Sequence, residues 1–168
     1  MFLVWCLVIN VSAVAQKLHD RHYRFSIVLP STLNEVTQTT PADPSSHLYY
    51  DTTNKVVLMV SSRDSKFESV DEYVGCGREQ LEADLRRNYG DTTLTLINCM
   101  RARHYPQKIT VLRFRVNSLP SGFDTYVIYF VHHHGHDIQF TFTFKNENSK
   151  QNIPYIDQIM NSLKLKKI

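Results

Sequence analysis

The sequence predicts an α+β protein of the layered α/β/α kind, in which a single antiparallel β-sheet of about six to seven strands is flanked by two helices. Residues 123–144 contain two strand-like runs joined by a short turn, which is typical of an antiparallel hairpin. Two other segments repeat apolar residues at helical spacing. Few of the predicted strands are separated by a helix, and parallel strands need such crossovers, so the pattern favours antiparallel pairing.

The hairpin is the strongest of these signals. It reads FDTYVIYFVHHHGHDIQFTFTF, and every position from 126 to 131 is apolar, as expected for a strand covered on both faces. In the second run the apolar residues Ile138, Phe140, Phe142 and Phe144 alternate with polar ones, which predicts one buried face and one polar face. Gly135 supplies the positive φ that a tight turn favours.

Two helices are predicted from their end signals. Ser69 followed by Glu72 forms a capping box, and Gly90 ends the apolar stripe that begins there. The second helix opens near Asn152 and places Pro154 in its first turn, where a proline is tolerated.

The remaining elements follow in chain order, and each is delimited by turn residues or by a change of periodicity. Residues 16–22 are polar and are expected to form a loose start. The expected strands are residues 23–29, 47–50, 55–61, 93–100 and 109–116.

Residues 1–15 are predicted to be a signal peptide that precedes a single domain spanning residues 16–168. The run MFLVWCLVINVSAVA is apolar and uncharged, and Ala13-Val14-Ala15 before Gln16 fits a small-x-small cleavage site. The run is too short to cross a bilayer comfortably, so no transmembrane segment is expected in the mature chain. A secreted or periplasmic location follows. No Lys or Arg precedes the run, and the alternative is a buried N-terminal strand.

If the protein is exported, its two remaining cysteines lie in an oxidising compartment, where they can form a disulfide. Cys6 leaves with the signal peptide, whereas Cys76 and Cys99 remain as an even pair in an oxidising compartment. If the helix that holds Cys76 runs antiparallel to the strand that holds Cys99, the two residues lie at about the same level. The pair is either a disulfide or two free thiols.

Charge and motifs exclude several functions. The 19 Lys and Arg residues exceed the 16 Asp and Glu residues by only three and are scattered along the chain, so nucleic acid is not an expected partner. The sequence has no phosphate-binding glycine loop, no nucleophile elbow and no HExxH motif. No catalytic residue is therefore predicted, and an enzyme is the third choice.

The turn of the hairpin offers one candidate metal site. His132, His134, His136 and Asp137 are clustered there, and imidazole and carboxylate groups bind divalent transition metals such as Zn, Cu, Ni and Mn. The alternatives are a solvated turn without ligands and a pH sensor, because several histidines would become charged together below about pH 6.5.

A second candidate surface carries positive charge. Lys108, Arg113 and Arg115 are expected on the polar side of one strand, where they would dock an acidic protein partner. The alternative is an ordinary charged sheet face.

The order of elements and four phrases resemble PsbP-type domains. The phrases are the start YRFSIVLP, the helix SVDEYVGCGREQLEADL, the four-strand run and the close IPYIDQIMNSLKL, which together cover about residues 22–166. This family includes the extrinsic oxygen-evolving subunit of photosystem II and a nuclear Ran-GTPase-binding factor. The resemblance implies a PsbP-like fold that is largely non-enzymatic, binds proteins and in some members binds metal ions.

The expected function is therefore that of an exported, non-catalytic binding or accessory protein with a protein partner in the cell envelope. The alternative is a metal-ion-binding protein that uses the histidine-rich turn at residues 132–137.

Overall fold

The computed structural model describes residues 15–36, 46–65, 78–89, 94–102, 109–116 and 122–166. These ranges contain ten strands, two α-helices and one short 3-10 turn. In chain order they are β1 (Gln16–Asp20), β2 (Phe25–Leu29), β3 (Leu33–Glu35), β4 (Ser46–Asp51), β5 (Val56–Asp64), α1 (Arg78–Tyr89), β6 (Thr95–Ala102), β7 (Ile109–Arg115), β8 (Thr125–His133), β9 (His136–Phe144), the 3-10 turn (Asn146–Asn148), α2 (Ser149–Asn161) and β10 (Lys164–Leu165).

The strands form two antiparallel sheets, so the prediction of a single sheet is wrong. The larger sheet has the order β3-β4-β5-β9-β8-β7-β6, and the smaller has the order β1-β2-β10. Residues 16–20, expected to be loose, form β1, which pairs with β2 along its whole length. Because β1 and β10 occupy both edges of β2, that strand belongs to the smaller sheet.

One face of the larger sheet packs against α2 and the smaller sheet. Phe140, Phe142 and Phe144 of β9 are fully buried on this face, as the alternation in the sequence predicts. Phe25 of β2 meets Phe140 edge to face, with ring centroids 5.7 Å apart. The same core includes the apolar face of α2, namely Ile156, Ile159, Met160 and, just beyond the helix, Leu163.

The opposite face of the same sheet holds a second core next to α1. Leu85 of α1 packs there with Leu112, Phe114 and Ile128. Strand β8 therefore contributes to both cores, since Val127 belongs to the first and its neighbour Ile128 to the second. This confirms the prediction that β8 is covered on both faces. The predicted antiparallel pairing of the strands and the two helices are also confirmed.

Some predicted boundaries differ from the observed ones. Helix α2 begins at Ser149, directly after the 3-10 turn, so Pro154 lies inside the helix and not in its first turn. Because proline has no N–H, one intrahelical hydrogen bond is absent at this exposed position.

Other predictions lie outside the described residues. These are the run 1–14, the capping box at Ser69, Gly90, Lys108 and Cys76. Cys99 lies in β6, but its side chain is not described, so the disulfide stays a prediction. Within the described ranges, no helix is long and apolar enough to span a bilayer.

A buried carboxylate joins α2 to the larger sheet. Asp51 at the end of β4 is 0% exposed, and its Oδ2 accepts hydrogen bonds from the Tyr155 hydroxyl at 2.6 Å and the Thr32 hydroxyl at 2.7 Å. The backbone N–H groups of Thr53 and Asn54 donate to its Oδ1 at 2.8 and 2.9 Å. Burial by itself would raise the pKa of Asp51, but the bonds from Tyr155, Asn54 and Thr32 outweigh it and hold the pKa at about 2.

Replacing Asp51 with Asn should lower the free energy of unfolding by about 2 kcal/mol near neutral pH, since each unit of pKa depression is worth about 1.4 kcal/mol. A depressed pKa contributes stability only above the unfolded-state pKa, so the advantage of the wild type should fade as the pH drops from about 4 towards 2. Urea titrations at several pH values measure this difference.

The matched control is Asp84→Asn. Asp84 forms a surface pair with Arg87 at 3.1 Å, and such pairs contribute about 0–1 kcal/mol. If Asp51→Asn and Asp84→Asn lower the free energy of unfolding equally, the hydrogen bonds to Asp51 do not stabilise the fold as argued.

Candidate functional site

The β8–β9 turn fixes where its histidines point. His134 and Gly135 form the tip with positive φ values of 51° and 77°, which confirms the turn role predicted for Gly135. The strand register pairs His132 with Asp137 and His133 with His136. Because neighbouring residues of a strand point to opposite faces, these two pairs lie on opposite sides of the sheet.

On the first side, Asp137 organises a small polar cluster. Its Oδ1 accepts a hydrogen bond from Ser65 Oγ at 2.8 Å and lies 3.1 Å from His132 Nδ1. Arg63 Nε lies 4.0 Å from Oδ2 of the same carboxylate. A cavity of ≈ 220 Å³ opens beside them and is lined by Ser61, Ser62, Arg63, Phe130, Asp137 and Gln139.

On the second side, the turn is attached to the end of β10. His133 Nε2 donates a hydrogen bond to the carbonyl of Lys166 at 2.9 Å. His136 Nδ1 lies 3.1 Å from Oδ1 of Asp64, the last residue of β5. The turn, which is part of the larger sheet, is thereby also linked to the end of the smaller sheet.

The smaller sheet brings two more histidines to the same place. The ring of His22 lies 5.7 Å from the ring of His136, and Tyr23 meets His136 edge to face at 5.1 Å. His19 Nε2 lies 3.2 Å from Lys166 Nζ. We call this region the histidine-rich end, which gathers the side chains of His19, His22, His132, His133, His134 and His136.

The sequence did not indicate that His19 and His22 belong to this site. They lie more than a hundred residues before the hairpin, in the segment expected to be loose. The only local signal was Leu18 between polar neighbours, which is too short an alternation to predict a strand.

The predicted metal ligands are brought together only in part. His132 and Asp137 are in contact, but His136 lies on the other side of the sheet and His134 is exposed at the tip. Among the described residues, no group of three or more His, Cys, Asp or Glu side chains is arranged to hold a metal ion. Metal binding by these four residues stays a prediction, and it requires the turn to rearrange.

The surroundings of His133 act on its charge state. Burial lowers the pKa of His133, and the nearby charges of His134, Arg24 and His136 lower it further, although the hydrogen bond to the Lys166 carbonyl acts in the opposite direction. The folded protein therefore disfavours protonation of this imidazole.

Arg113 and Arg115, the two described residues of the predicted basic surface, lie beside the start of β8, at the end of that strand opposite the histidine-rich turn. Arg113 Nη2 donates to Ser149 Oγ at 3.2 Å, and Arg115 Nη2 lies 3.5 Å from Asp124 Oδ2. Both arginines are partly buried. Arg113 lies beside the start of α2, so the two are not on a fully solvated sheet face. Their role in binding a partner stays a prediction.

An open cavity of ≈ 340 Å³ next to Arg115 has a balanced charge. Its charged lining consists of Arg115 and Lys145 against Asp124 and Glu147. Asp124 is also fixed by the backbone N–H of Asn146 at 2.6 Å. The described part of this surface is therefore less basic than the sequence indicates.

Comparison with known proteins identifies the fold. No family model matches the sequence, and no curated protein matches it. Cyanobacterial PsbP from Synechocystis superimposes with a TM-score of 0.69 at 14% identity, covering 98% of this chain and 99% of that one. The Ran-binding protein Mog1p from Saccharomyces cerevisiae gives 0.59 at 8% identity over 92% and 96% of the two chains.

A protein of unknown function from Pseudomonas aeruginosa has the same architecture, with a TM-score of 0.53 at 13% identity over 92% of this chain and 99% of that one. The protein thus has the PsbP-like fold, as its sequence predicts.

The lowered pKa of His133 should make the protein sensitive to acid. A histidine with a depressed folded-state pKa costs stability once the pH falls below the unfolded-state value of about 6.5. His133→Gln keeps an N–H donor for the Lys166 carbonyl but takes up no proton. Its melting temperature should therefore fall less than that of the wild type between pH 7 and pH 5.

His47→Gln is the matched control, because His47 lies on β4 beside Glu35, outside the histidine-rich end. This variant should retain the acid sensitivity of the wild type. The same loss of melting temperature in His133→Gln as in the wild type would show that His133 is not responsible.

Proposed function

We propose that this protein is a non-catalytic accessory protein that acts outside the cytoplasm by binding a protein partner. The observation that carries the proposal is the superposition on cyanobacterial PsbP over nearly the full length of both chains. The fold is also that of Mog1p, which is named as a Ran-binding protein. Both neighbours support a scaffold that works through its surface.

The described cavities agree with this proposal. Pockets for small molecules are usually concave and mainly apolar. The cavity of ≈ 340 Å³ is instead open and lined mostly by polar and charged side chains, and the smaller one of ≈ 220 Å³ is bordered by Arg63 and Asp137. Such surfaces suit the polar rim of a protein interface better than an enclosed substrate site.

Two sequence features extend the proposal to where the protein acts and to the charge of its partner. The apolar run ending in Ala13-Val14-Ala15 supports export. Arg113 and Arg115 support an acidic partner, since both are partly exposed and the side chain of Arg115 is 39% exposed.

Cross-linking in cells should capture the partner in the envelope fraction, and the partner identified there should bind the purified protein. Reversing both charges with Arg113→Glu and Arg115→Glu should weaken this binding about tenfold, since each exposed charge pair contributes up to about 1 kcal/mol. Titration calorimetry with the two purified proteins measures the affinity.

Arg87→Glu is the matched control, because Arg87 is an exposed arginine of α1 far along the chain from β7. A melting curve of each variant shows that it is folded. If binding is unchanged in the double variant, the surface at Arg113 and Arg115 does not dock the partner.

The second candidate function is the binding of a divalent transition metal at the histidine-rich turn. Asp64 contacts Nδ1 of His136, and Asp137 contacts Nδ1 of His132. A carboxylate on Nδ1 orients an imidazole and leaves Nε2 available for a metal ion, as is common around metal sites.

Thermal melts of untagged protein with EDTA, and then with Zn, Cu, Mn, Ni or Ca, test this candidate. An ion that binds the folded state stabilises it by about 2.7 kcal/mol at a hundredfold excess over Kd. The shift should disappear when the four histidines of the turn, at positions 132, 133, 134 and 136, are replaced with Ala, and it should persist in His47→Ala. A shift that survives the fourfold replacement would place the ion elsewhere.

A further inference from the structure

The smaller sheet has an outer face that carries permanent positive charge. Strand β2 buries alternate residues in the core, which leaves Ser26 and Val28 on its outer side. The neighbouring strands place a lysine beside each of them, since Lys17 of β1 pairs with Val28 and Lys164 of β10 pairs with Ser26. Both lysines are exposed to solvent.

Three more cations lie at one end of the same sheet. Arg21 and Arg24 belong to the turn that joins β1 to β2. The backbone N–H of Lys166 donates to the carbonyl of Arg24 at 2.9 Å, which places Lys166 beside that turn. All three side chains are exposed. We call the whole set the small-sheet face, which consists of Lys17, Arg21, Arg24, Lys164 and Lys166.

The carboxylates of this region leave most of that charge unmatched. Asp20 is the one acidic residue of the three strands and their turn, and it accepts a hydrogen bond from the backbone N–H of Tyr23 at 2.9 Å. Among the described residues, no carboxylate forms an ion pair with any of the five cations. Because Lys and Arg are charged at neutral pH, the excess does not depend on the protonation of a histidine.

The five cations are close enough to act on another surface as one group. Three adjacent strands at about 4.8 Å spacing make the sheet about 10 Å wide, and the five residues of β1 make it about 17 Å long. Charges act on one another over about 10 Å at 0.1 M salt. An approaching anionic surface therefore meets the combined field of these residues.

We propose that the small-sheet face binds the surface of an anionic membrane by electrostatic attraction to the lipid headgroups. Clusters of four to eight basic residues are typical of anionic lipid recognition, and each residue near the surface contributes about 1 kcal/mol. Val28 adds an apolar side chain that is 40% exposed on the same face. Apolar groups among basic ones are typical of surfaces that rest in the headgroup region of a bilayer.

A membrane suits this face better than an acidic protein segment does. Lysine is depleted in protein interfaces, yet three of the five cations are lysines. Protein partners are usually anchored by side chains that fill well-packed pockets, and neither cavity described above is lined by a residue of this face. Attraction to lipid headgroups requires a dense charge and no pocket.

The inference goes beyond the proposed function because it concerns another surface and another kind of partner. Helix α2 begins beside Arg113 and ends just before Lys164, and its 13 residues span about 20 Å. The membrane contact and the protein contact therefore lie at different ends of this helix.

Co-sedimentation of the purified full chain with lipid vesicles tests the inference. The protein should partition more strongly onto vesicles of phosphatidylglycerol and phosphatidylcholine in equal amounts than onto phosphatidylcholine alone. The ratio of the two partition coefficients is the measured preference, so that any contribution of the uncharged run 1–15 affects both terms. Raising the salt from about 0.1 M to about 1 M shortens the screening length from about 10 Å to about 3 Å and should abolish the preference.

The double variant Lys17→Gln and Lys164→Gln removes one cation from each strand that flanks β2. Its preference for the anionic vesicles should fall about thirtyfold, which corresponds to about 2 kcal/mol for the two residues. The matched control, Lys55→Gln and Arg87→Gln, removes the same charge from exposed positions in the β4–β5 turn and in α1, and it should keep the wild-type preference. Melting curves show that each variant is folded.

The inference is wrong if the wild type partitions equally onto the two kinds of vesicle, or if the two double variants lose the preference equally. It is also wrong if a Glu-rich peptide binds the wild type through Lys17 and Lys164 while the vesicles show no preference, because the face would then dock an acidic protein segment. The calorimetry with Arg113→Glu and Arg115→Glu contains no lipid, so failure of this inference and failure of the proposed function give different results.

Discussion

The register between β8 and β9 determines the arrangement of the whole molecule. Strand β9 lies at the centre of the larger sheet, paired with β5 on one side and β8 on the other. A slip of one residue would turn its phenylalanines out of the core and exchange the faces of every side chain in the turn. The same constraint that builds the core therefore decides that Asp137 contacts His132 and that His136 contacts Asp64.

The parts of the fold that the sequence predicts are those with a local pattern. Strand β9 alternates polar and apolar residues from Asp137 to Phe144, so its buried face follows directly from periodicity. Strand β1 has no such pattern, and β10 has only two residues. Strand β1 pairs with β2 across a four-residue turn, whereas β10 joins β2 from a distant part of the chain, and the two pairings together form the smaller sheet.

The same distinction applies to the candidate sites. The contiguous histidines of the turn were visible in the sequence. His22 reaches them because the β1–β2 turn packs against His136, and His19 because Lys166 contacts both His19 and His133. The structure differs from the predicted basic surface for a related reason. Helix α2 begins at Ser149, early enough for that residue to cover Arg113, and the position of a helix end is among the least predictable features of a sequence.

The attachment of β10 also has a consequence for the order in which the protein forms. Strand β2 is synthesised early and β10 late, yet Lys164 pairs with Ser26, and the N–H of Lys166 bonds to the carbonyl of Arg24. Until β10 has been synthesised, one edge of β2 has no paired strand, and Phe25 lacks its neighbour Leu165. Closure between distant segments is slow relative to local pairing. The smaller sheet can therefore be complete only after residues 164–166 have been synthesised, although its β1–β2 hairpin joins residues that are close in the chain.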